Sequence, residues 1–153
     1  PYRFRLVGEH GGIAFYEDSL ATNPTAAAAA IRSLDRPFLL MAGGFRRDAT
    51  PEDFRPMTEA LAAAGRCRAV LLIGSTATVL SEALATIPPA ARPPVIMAGT
   101  LEGAMAEARR LARPGEAVLL SPGCESFDQF VDYRQRGDRF RALAEESAAA
   151  GAK

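Results

Sequence analysis

The stretch "LLSPGCESFDQF", residues 119–130, begins as an apolar strand and ends in a pattern typical of a helix. Between the two lies a run of small and polar residues: Ser121, Pro122, Gly123, Cys124, Glu125 and Ser126. In open α/β proteins, ligands bind in the crevice beyond the carboxyl ends of the strands. This stretch therefore predicts both a strand-to-helix unit and a candidate binding turn.

The same unit recurs along the chain. Apolar runs followed by helix-like segments occur at 37–44 and 51–65, 67–74 and 75–87, 93–99 and 100–112, and 116–123 and 126–150. Strands that alternate with helices predict right-handed crossovers and a mostly parallel sheet covered on both faces. Gly137 is expected to interrupt or cap the final helix.

The N-terminal part has a different pattern. Strand-like runs at 3–8 and 13–17 flank "EHGG", which predicts an antiparallel hairpin. Asn23 and Pro24 then predict the start of an alanine-rich helix. The expected fold is a three-layer, Rossmann-like α/β domain with a hairpin at one edge of the sheet, spanning 1–153 as one domain.

Composition excludes several classes of function. Positive and negative residues balance at 18 each, so no basic face is available for nucleic acid. Two cysteines and one histidine, His10, suggest neither a zinc site nor a disulfide framework. The only lysine is Lys153, expected at a frayed end, so the chain has no P-loop lysine. No apolar run is long enough to span a bilayer, and we expect a cytoplasmic protein.

Two earlier turns also carry polar groups. "DSLATN", 18–23, could hold an anion or a ribose hydroxyl at a helix N-terminus, or Asp18 and Asn23 could simply cap and turn the chain. "GGFRRD", 43–48, presents Arg46 and Arg47, whose guanidinium groups suit carboxylate or phosphate but could equally be solvated surface charge. No G-x-G-x-x-G motif accompanies them, which disfavours a dinucleotide-dependent oxidoreductase.

The turn at 121–126 has its own alternatives. Ser121 and Ser126 are expected to frame a loop that opens a helix, and Cys124 is expected to be a structural small residue because no histidine is placed to activate it. On the helix that follows, Phe127, Phe130 and Tyr133 are spaced as a core face. The arginines at 134, 136 and 139 are expected to lie on an exposed face.

Together, "DSLATNP", "MAGGFRRDA" and "LLSPGCESFDQFVDYRQRGDRF" resemble the C-terminal domain of the Mur ligases, specifically of the members that join glutamate to UDP-N-acetylmuramoyl-L-alanine. The resemblance implies an ATP-dependent amide-bond ligase of three domains. It implies that the N-terminal UDP-binding and central ATPase domains are absent from this chain, which begins at Pro1. ATP and Mg²⁺ would be bound mainly by the central domain.

The resemblance also implies roles for individual residues. Arg3 and Asp18 would contact the nucleotide. The incoming glutamate would be bound by five residues: Thr22, Arg47, Ser126, Phe127 and Tyr133. None of them is expected to be a catalytic base or a metal ligand, because the domain would act by positioning its substrates.

The amino acid itself is open. D-glutamate is the first expectation. Leu20 stands where the family has a lysine, and Arg47 matches a second family lysine. Because of these two departures, two alternatives stay open: ligation of L-glutamate, or a Mur-ligase-like binding module without catalysis. The expected partners are these small substrates and the other domains of the polypeptide, with neither nucleic acid nor a membrane.

Overall fold

The computed structural model describes the backbone of residues 1–151 and the side chains of residues 1–147, so Lys153 lies outside the described residues. Six strands are present: β1 (Arg5–His10), β2 (Ile13–Glu17), β3 (Phe38–Gly43), β4 (Cys67–Ile73), β5 (Val95–Gly99) and β6 (Ala117–Leu120). The five α-helices are α1 (Pro24–Ser33), α2 (Arg55–Ala64), α3 (Ala77–Leu84), α4 (Leu101–Leu111) and α5 (Tyr133–Gly151). Short 3-10 turns at Pro51–Phe54 and Pro89–Ala91 complete the described elements.

The strands form one sheet in the order β1-β2-β6-β3-β4-β5. Every neighbouring pair is parallel except β1 and β2, which are antiparallel. The strands β3 and β6 lie in the middle and are buried along their whole length, which explains why they read as continuous apolar runs rather than as alternating patterns. The predicted fold class is therefore confirmed.

The N-terminal hairpin turns on two glycines, Gly11 and Gly12, with φ of 61° and 78°. Positive φ at both central residues is what a tight two-residue hairpin turn requires. β2 lies where the sequence predicted it, whereas β1 starts at Arg5 rather than at residue 3. The reason is that Tyr2 and Phe4 also adopt positive φ, of 63° and 42°, and so leave the extended conformation.

Helices cover both faces of the sheet. The apolar sides of α1, α2 and α3 pack in one core, and those of α4 and α5 pack in a second core on the opposite face. The Asn23 side chain caps α1 by accepting a hydrogen bond from the Ala26 N–H at 2.9 Å, as predicted. Gly65 ends α2 in the left-handed conformation, also as predicted. Within residues 1–151, we find no helix that is both long enough and apolar enough to cross a membrane.

The final helix differs from the prediction in two ways. It begins at Tyr133 rather than at Ser126, because 126–132 form a succession of turns. Gly137 neither interrupts nor caps it but lies inside its second turn. An ideal Cβ on Gly137 would lie 2.7 Å from Cδ1 of Tyr2 and 3.0 Å from Oε2 of Glu17. The glycine is therefore there to let α5 approach the β1–β2 hairpin closely.

Candidate functional site

The winding direction of the chain changes between the adjacent central strands β6 and β3, which makes their carboxyl ends a switch point of the sheet. The helices that follow β2 and β3 lie on one face, whereas the helix that follows β6 lies on the other. The loops that follow adjacent strands thus lead to opposite faces, and ligands bind at such switch points. We use "the crevice" for the space bounded by the loops 18–23, 44–50 and 121–132.

Backbone hydrogen bonds join these three loops. Gly123 N–H donates to the Ala21 carbonyl at 2.9 Å, and Phe45 and Glu125 exchange two N–H to carbonyl bonds of 2.8 Å each. Gly44 has φ of 147°, and a side chain on it would collide with the Glu125 carbonyl. Gly44 of the "GGF" segment thus permits the β3 loop to close against the β6 loop.

Asp18 lies at the base of the 18–23 loop and is only 4% exposed. Its Oδ1 accepts the Phe4 N–H at 2.9 Å, and its Oδ2 accepts the Ser121 hydroxyl at 2.7 Å. Burial raises the pKa of the Asp18 carboxyl above its ordinary value, although these two hydrogen bonds act in the opposite direction. Tyr2, two residues before Phe4, is also anchored in this corner, because its carbonyl accepts the Leu20 N–H at 2.8 Å.

The two residues proposed for nucleotide contact line the same cavity. It has a volume of about 330 Å³ and lies between the N-terminal segment and α1. Arg3 is exposed at this cavity, and Asp18 forms part of its wall. The rest of the lining is largely apolar, with Leu20 and alanines of α1. A larger cavity of about 480 Å³ lies between the 3-10 turn at Pro51–Phe54, α2 and the segment after α3, and no predicted site residue lines it.

The five residues expected to bind glutamate lie in the crevice loops or at the start of α5, but they differ in exposure. Thr22 is half-buried. The Arg47 side chain is 90% exposed, and its guanidinium lies no closer than 4.0 Å to the Asp48 carboxylate. Arg47 is therefore free to turn toward a ligand.

Ser126 is the opposite case. It is buried, and its hydroxyl has no hydrogen-bond partner among the described residues. Its carbonyl accepts the N–H groups of Gln129 and Phe130, so it starts a turn rather than a helix. The expectation that the Ser126 hydroxyl lies at a helix N-terminus is therefore wrong.

Three aromatic side chains lie in this turn or directly after it. Phe127 is 62% exposed, which contradicts its assignment to a helix core. Phe130 is half-buried and packs against the core on the α4 and α5 face. Tyr133 is the first residue of α5 and packs edge-on against Tyr2, with ring centroids 5.7 Å apart. An exposed phenylalanine next to a buried, unpartnered hydroxyl is an arrangement that a ligand or a neighbouring domain could cover.

Sequence reasoning missed Arg136, which was expected to be exposed. It is 1% exposed, and its guanidinium donates to the Ser19 hydroxyl at 2.9 Å, to the Ser19 carbonyl at 2.8 Å and to the Cys124 carbonyl at 3.0 Å. The other two arginines of the group do reach solvent: Arg134 is exposed, and Arg139 forms an ion pair with Glu102 at 2.8 Å. The neighbouring glycine, Gly137, was the one sequence signal that this side of α5 is tightly packed.

The remaining candidates for a nucleophile or a base are Cys124 and His10, and neither lies in surroundings that suit catalysis. Cys124 is buried beside the Thr76 hydroxyl at 3.4 Å, and burial raises the pKa of its thiol to about 11. His10 pairs with Ile13 at the start of β2, which is the end of the sheet opposite the crevice. Within the described residues, no group of three or more His, Cys, Asp or Glu side chains could hold a metal ion.

The fold defines a Rossmann-like α/β domain in which three loops meet at the carboxyl edge of a mostly parallel sheet. The family described as "Mur ligase, glutamate ligase domain" matches residues 2–124. The chain belongs to this Mur ligase family.

Individual relatives agree with the family match. The "UDP-N-acetylmuramoylalanine--D-glutamate ligase" of Rubrobacter xylanophilus is 46% identical over 145 residues, which are 94% of this chain and 31% of that protein. The chain thus spans about a third of the length of this relative. The murein peptide ligase of Psychrobacter arcticus shares the fold at a TM-score of 0.62 and 13% identity, covering 98% of this chain and 30% of its own. The MurF ligase of Thermotoga maritima, solved with ADP, matches at 0.58 and 15% identity, covering 98% and 32%.

Proposed function

We propose that the chain is the amino-acid-binding domain of an ATP-dependent ligase that adds D-glutamate to UDP-N-acetylmuramoyl-L-alanine, in the cytoplasm, during peptidoglycan synthesis. The observation that carries the proposal is the 46% identity, over 94% of the chain, to a protein named for that reaction. Since the chain spans 31% of that relative, the reaction would need the remaining two domains of a longer polypeptide. This domain would close over the nucleotide and bring the amino acid.

The crevice offers suitable groups for an acidic amino acid. A buried hydroxyl without a partner costs about 1–3 kcal/mol, which a hydrogen bond to a carboxylate would recover. Ser126 has such a hydroxyl. Arg47 is exposed and weakly paired, so its planar guanidinium can form paired hydrogen bonds with the second carboxylate. Thr22, Phe127 and Tyr133 would complete the site.

The cavity beside α1 fits the sugar of a nucleotide. Each Asp18 oxygen accepts one hydrogen bond within the domain and retains a lone pair that can accept another, from a ribose hydroxyl. Arg3 would add a positive charge at the rim of the cavity. Mg²⁺ would be held mainly by the central domain of the longer polypeptide.

The first test is phosphate release by the full-length protein with ATP, magnesium and UDP-N-acetylmuramoyl-L-alanine, comparing D-glutamate with L-glutamate. We expect activity with D-glutamate alone. Preference for L-glutamate would assign the chain to ligation of the L-isomer, with Leu20, 38% exposed at the nucleotide cavity, as the residue to examine. No release with either isomer would identify a binding module without catalysis.

The site assignment has its own test, Arg47→Ala. Loss of a charge-assisted hydrogen bond costs about 1.5–3 kcal/mol, so the glutamate KM should rise roughly tenfold to a hundredfold while the ATP KM stays within about twofold. Arg32→Ala, which removes an exposed arginine from the last turn of α1, is the matched control and should change neither constant. Equal increases in both KM values for Arg47→Ala would remove Arg47 from the amino-acid site.

A further inference from the structure

Arg136 is the largest fully buried side chain among the described residues. Three nitrogens of its guanidinium donate hydrogen bonds, and all three acceptors are uncharged groups of the crevice loops: the Ser19 hydroxyl, the Ser19 carbonyl and the Cys124 carbonyl. No carboxylate lies within ion-pair distance of it in the part of the chain that the structure describes. Arg136 is thus a buried cation held by dipoles rather than by a counter-ion.

Such an arrangement is costly, because burial disfavours a charge, and the Glu17, Glu125 and Asp128 carboxylates offset this only in part without contacting the guanidinium. Burial lowers the pKa of Arg136 to about 10, which still leaves the guanidinium protonated at neutral pH. A leucine or methionine at this place would satisfy the packing without that cost. The arginine therefore does something that an apolar side chain cannot do.

Its contacts indicate what that is. Ser19 belongs to the 18–23 loop and Cys124 to the 121–132 loop, so the guanidinium joins two of the three loops to α5. The Ser19 hydroxyl continues the connection by donating to the Tyr133 carbonyl at 2.6 Å. The third loop is also adjacent, because an ideal Cβ on Gly44 would lie 3.3 Å from Nη1 of Arg136. One planar group thus fixes the relative positions of the elements that bound the crevice.

We propose that Arg136 is a positioning residue for the acidic amino acid: its guanidinium holds the 121–132 loop against the 18–23 loop, and its charge, which no carboxylate of the described residues contacts directly, favours a carboxylate in the crevice. The inference rests on the proposed function and extends it to a residue outside the assigned site. Cys124, whose carbonyl it holds, precedes Ser126 by two residues, so loss of the contact displaces the Ser126 hydroxyl. Loss of the charge removes the attraction for the substrate.

The nucleotide corner has two anchors of its own, even though Asp18 directly precedes Ser19 in the loop that Arg136 holds. Asp18 is held by Phe4 and Ser121, neither of which contacts Arg136 through a hydrogen bond. A change at Arg136 should therefore raise the KM for glutamate and leave the KM for ATP unchanged. A general loosening of the domain would affect both.

The experiment uses the full-length protein and Arg136→Met, which keeps a long unbranched side chain and removes the donors and the charge. We expect the glutamate KM to rise at least about tenfold, with the ATP KM within about twofold of wild type. Arg136→Lys, which keeps the charge but loses the planar fork, should recover part of the loss, to an increase of about threefold. Arg139→Met, on the same helix but in a surface ion pair, is the control and should leave both KM values unchanged.

Three results would overturn the inference: a folded Arg136→Met variant whose glutamate KM stays within about twofold of wild type, equal increases in both KM values, or no recovery by lysine. If Arg136→Met does not fold, Ser19→Ala replaces it, because it removes the Nε acceptor while leaving the arginine in place. The glutamate KM should then rise and the ATP KM should not, and an unchanged glutamate KM would overturn the inference. The wild-type protein is assayed before the variants. If it releases no phosphate with glutamate, the proposed function itself is overturned.

Discussion

Gly137→Ala should destabilise the domain, against the usual effect of this substitution in a helix. In an open helix interior, alanine is more stable than glycine by about 1 kcal/mol. At Gly137 the added methyl group would lie 2.7 Å from the Tyr2 ring and 3.0 Å from the Glu17 carboxylate. The carboxylate has little freedom to move, because Arg5 Nε and the Ser19 N–H hold its two oxygens at 2.8 and 2.7 Å.

The magnitude follows from these two opposing effects. Overpacking a close contact costs about 1–3 kcal/mol, which exceeds the gain in helix propensity. We expect a net loss of about 1 kcal/mol in the free energy of unfolding, equivalent to a fall of roughly 2–4 °C in Tm for a chain of this size. Urea unfolding followed by circular dichroism measures it. Ala63→Gly, at an exposed position of α2, calibrates the propensity effect in the same protein and should cost about 1 kcal/mol.

A double variant tests the cause. Tyr2→Ala removes the ring that the new methyl group meets, so Gly137→Ala should be less harmful in that background, with a coupling of about 0.5 kcal/mol or more. Stabilisation by Gly137→Ala, or strict additivity with Tyr2→Ala, would refute the close-packing explanation for this glycine.

Two further predictions concern titratable groups. Because burial raises the folded-state pKa of Asp18, the native state binds its proton more tightly than the unfolded chain, and this contribution to stability is lost as pH rises through that pKa. Asp18→Asn should therefore gain stability relative to wild type as the pH rises above about 4, and parallel urea-unfolding profiles of the two proteins would contradict this. Burial raises the pKa of Cys67 to about 12 and that of Cys124 to about 11. Both thiols should therefore react with a disulfide reagent at pH 8 far more slowly in the native protein than in urea. Rapid labelling of the native protein would show that one of the two thiols is accessible.

The sequence predicted the features that depend on local patterns. Apolar runs located the six strands, and Asn23 and Gly65 marked helix ends because a cap is a local hydrogen-bond or backbone requirement. The start of α5 was wrong because contacts from distant parts of the chain override the helical spacing at 126–132. There, the Asp128 carboxylate accepts the Ser75 N–H at 3.0 Å, and the Gln129 side chain donates to the Gly99 carbonyl at 2.9 Å.

The site was predictable to the level of loops but not of side chains. The turns after β2, β3 and β6 meet at one edge of the sheet, as the alternation of strands and helices requires. The burial of Arg136 was not predictable, because charged residues are almost never fully buried without a partner and its acceptors are more than 100 residues away or belong to backbone. The roles of Arg3, Thr22, Arg47 and the other assigned residues stay predictions.

The N-terminal segment has a mechanical consequence. Tyr2 and Phe4, both in the left-handed region, bracket Arg3, and each makes a hydrogen bond to the segment at 18–20. Two anchors on either side of one residue leave little slack in the backbone between them. A rotation of the backbone at Tyr2 would therefore displace the Asp18 carboxylate, rather than being absorbed by a conformational change along the hairpin.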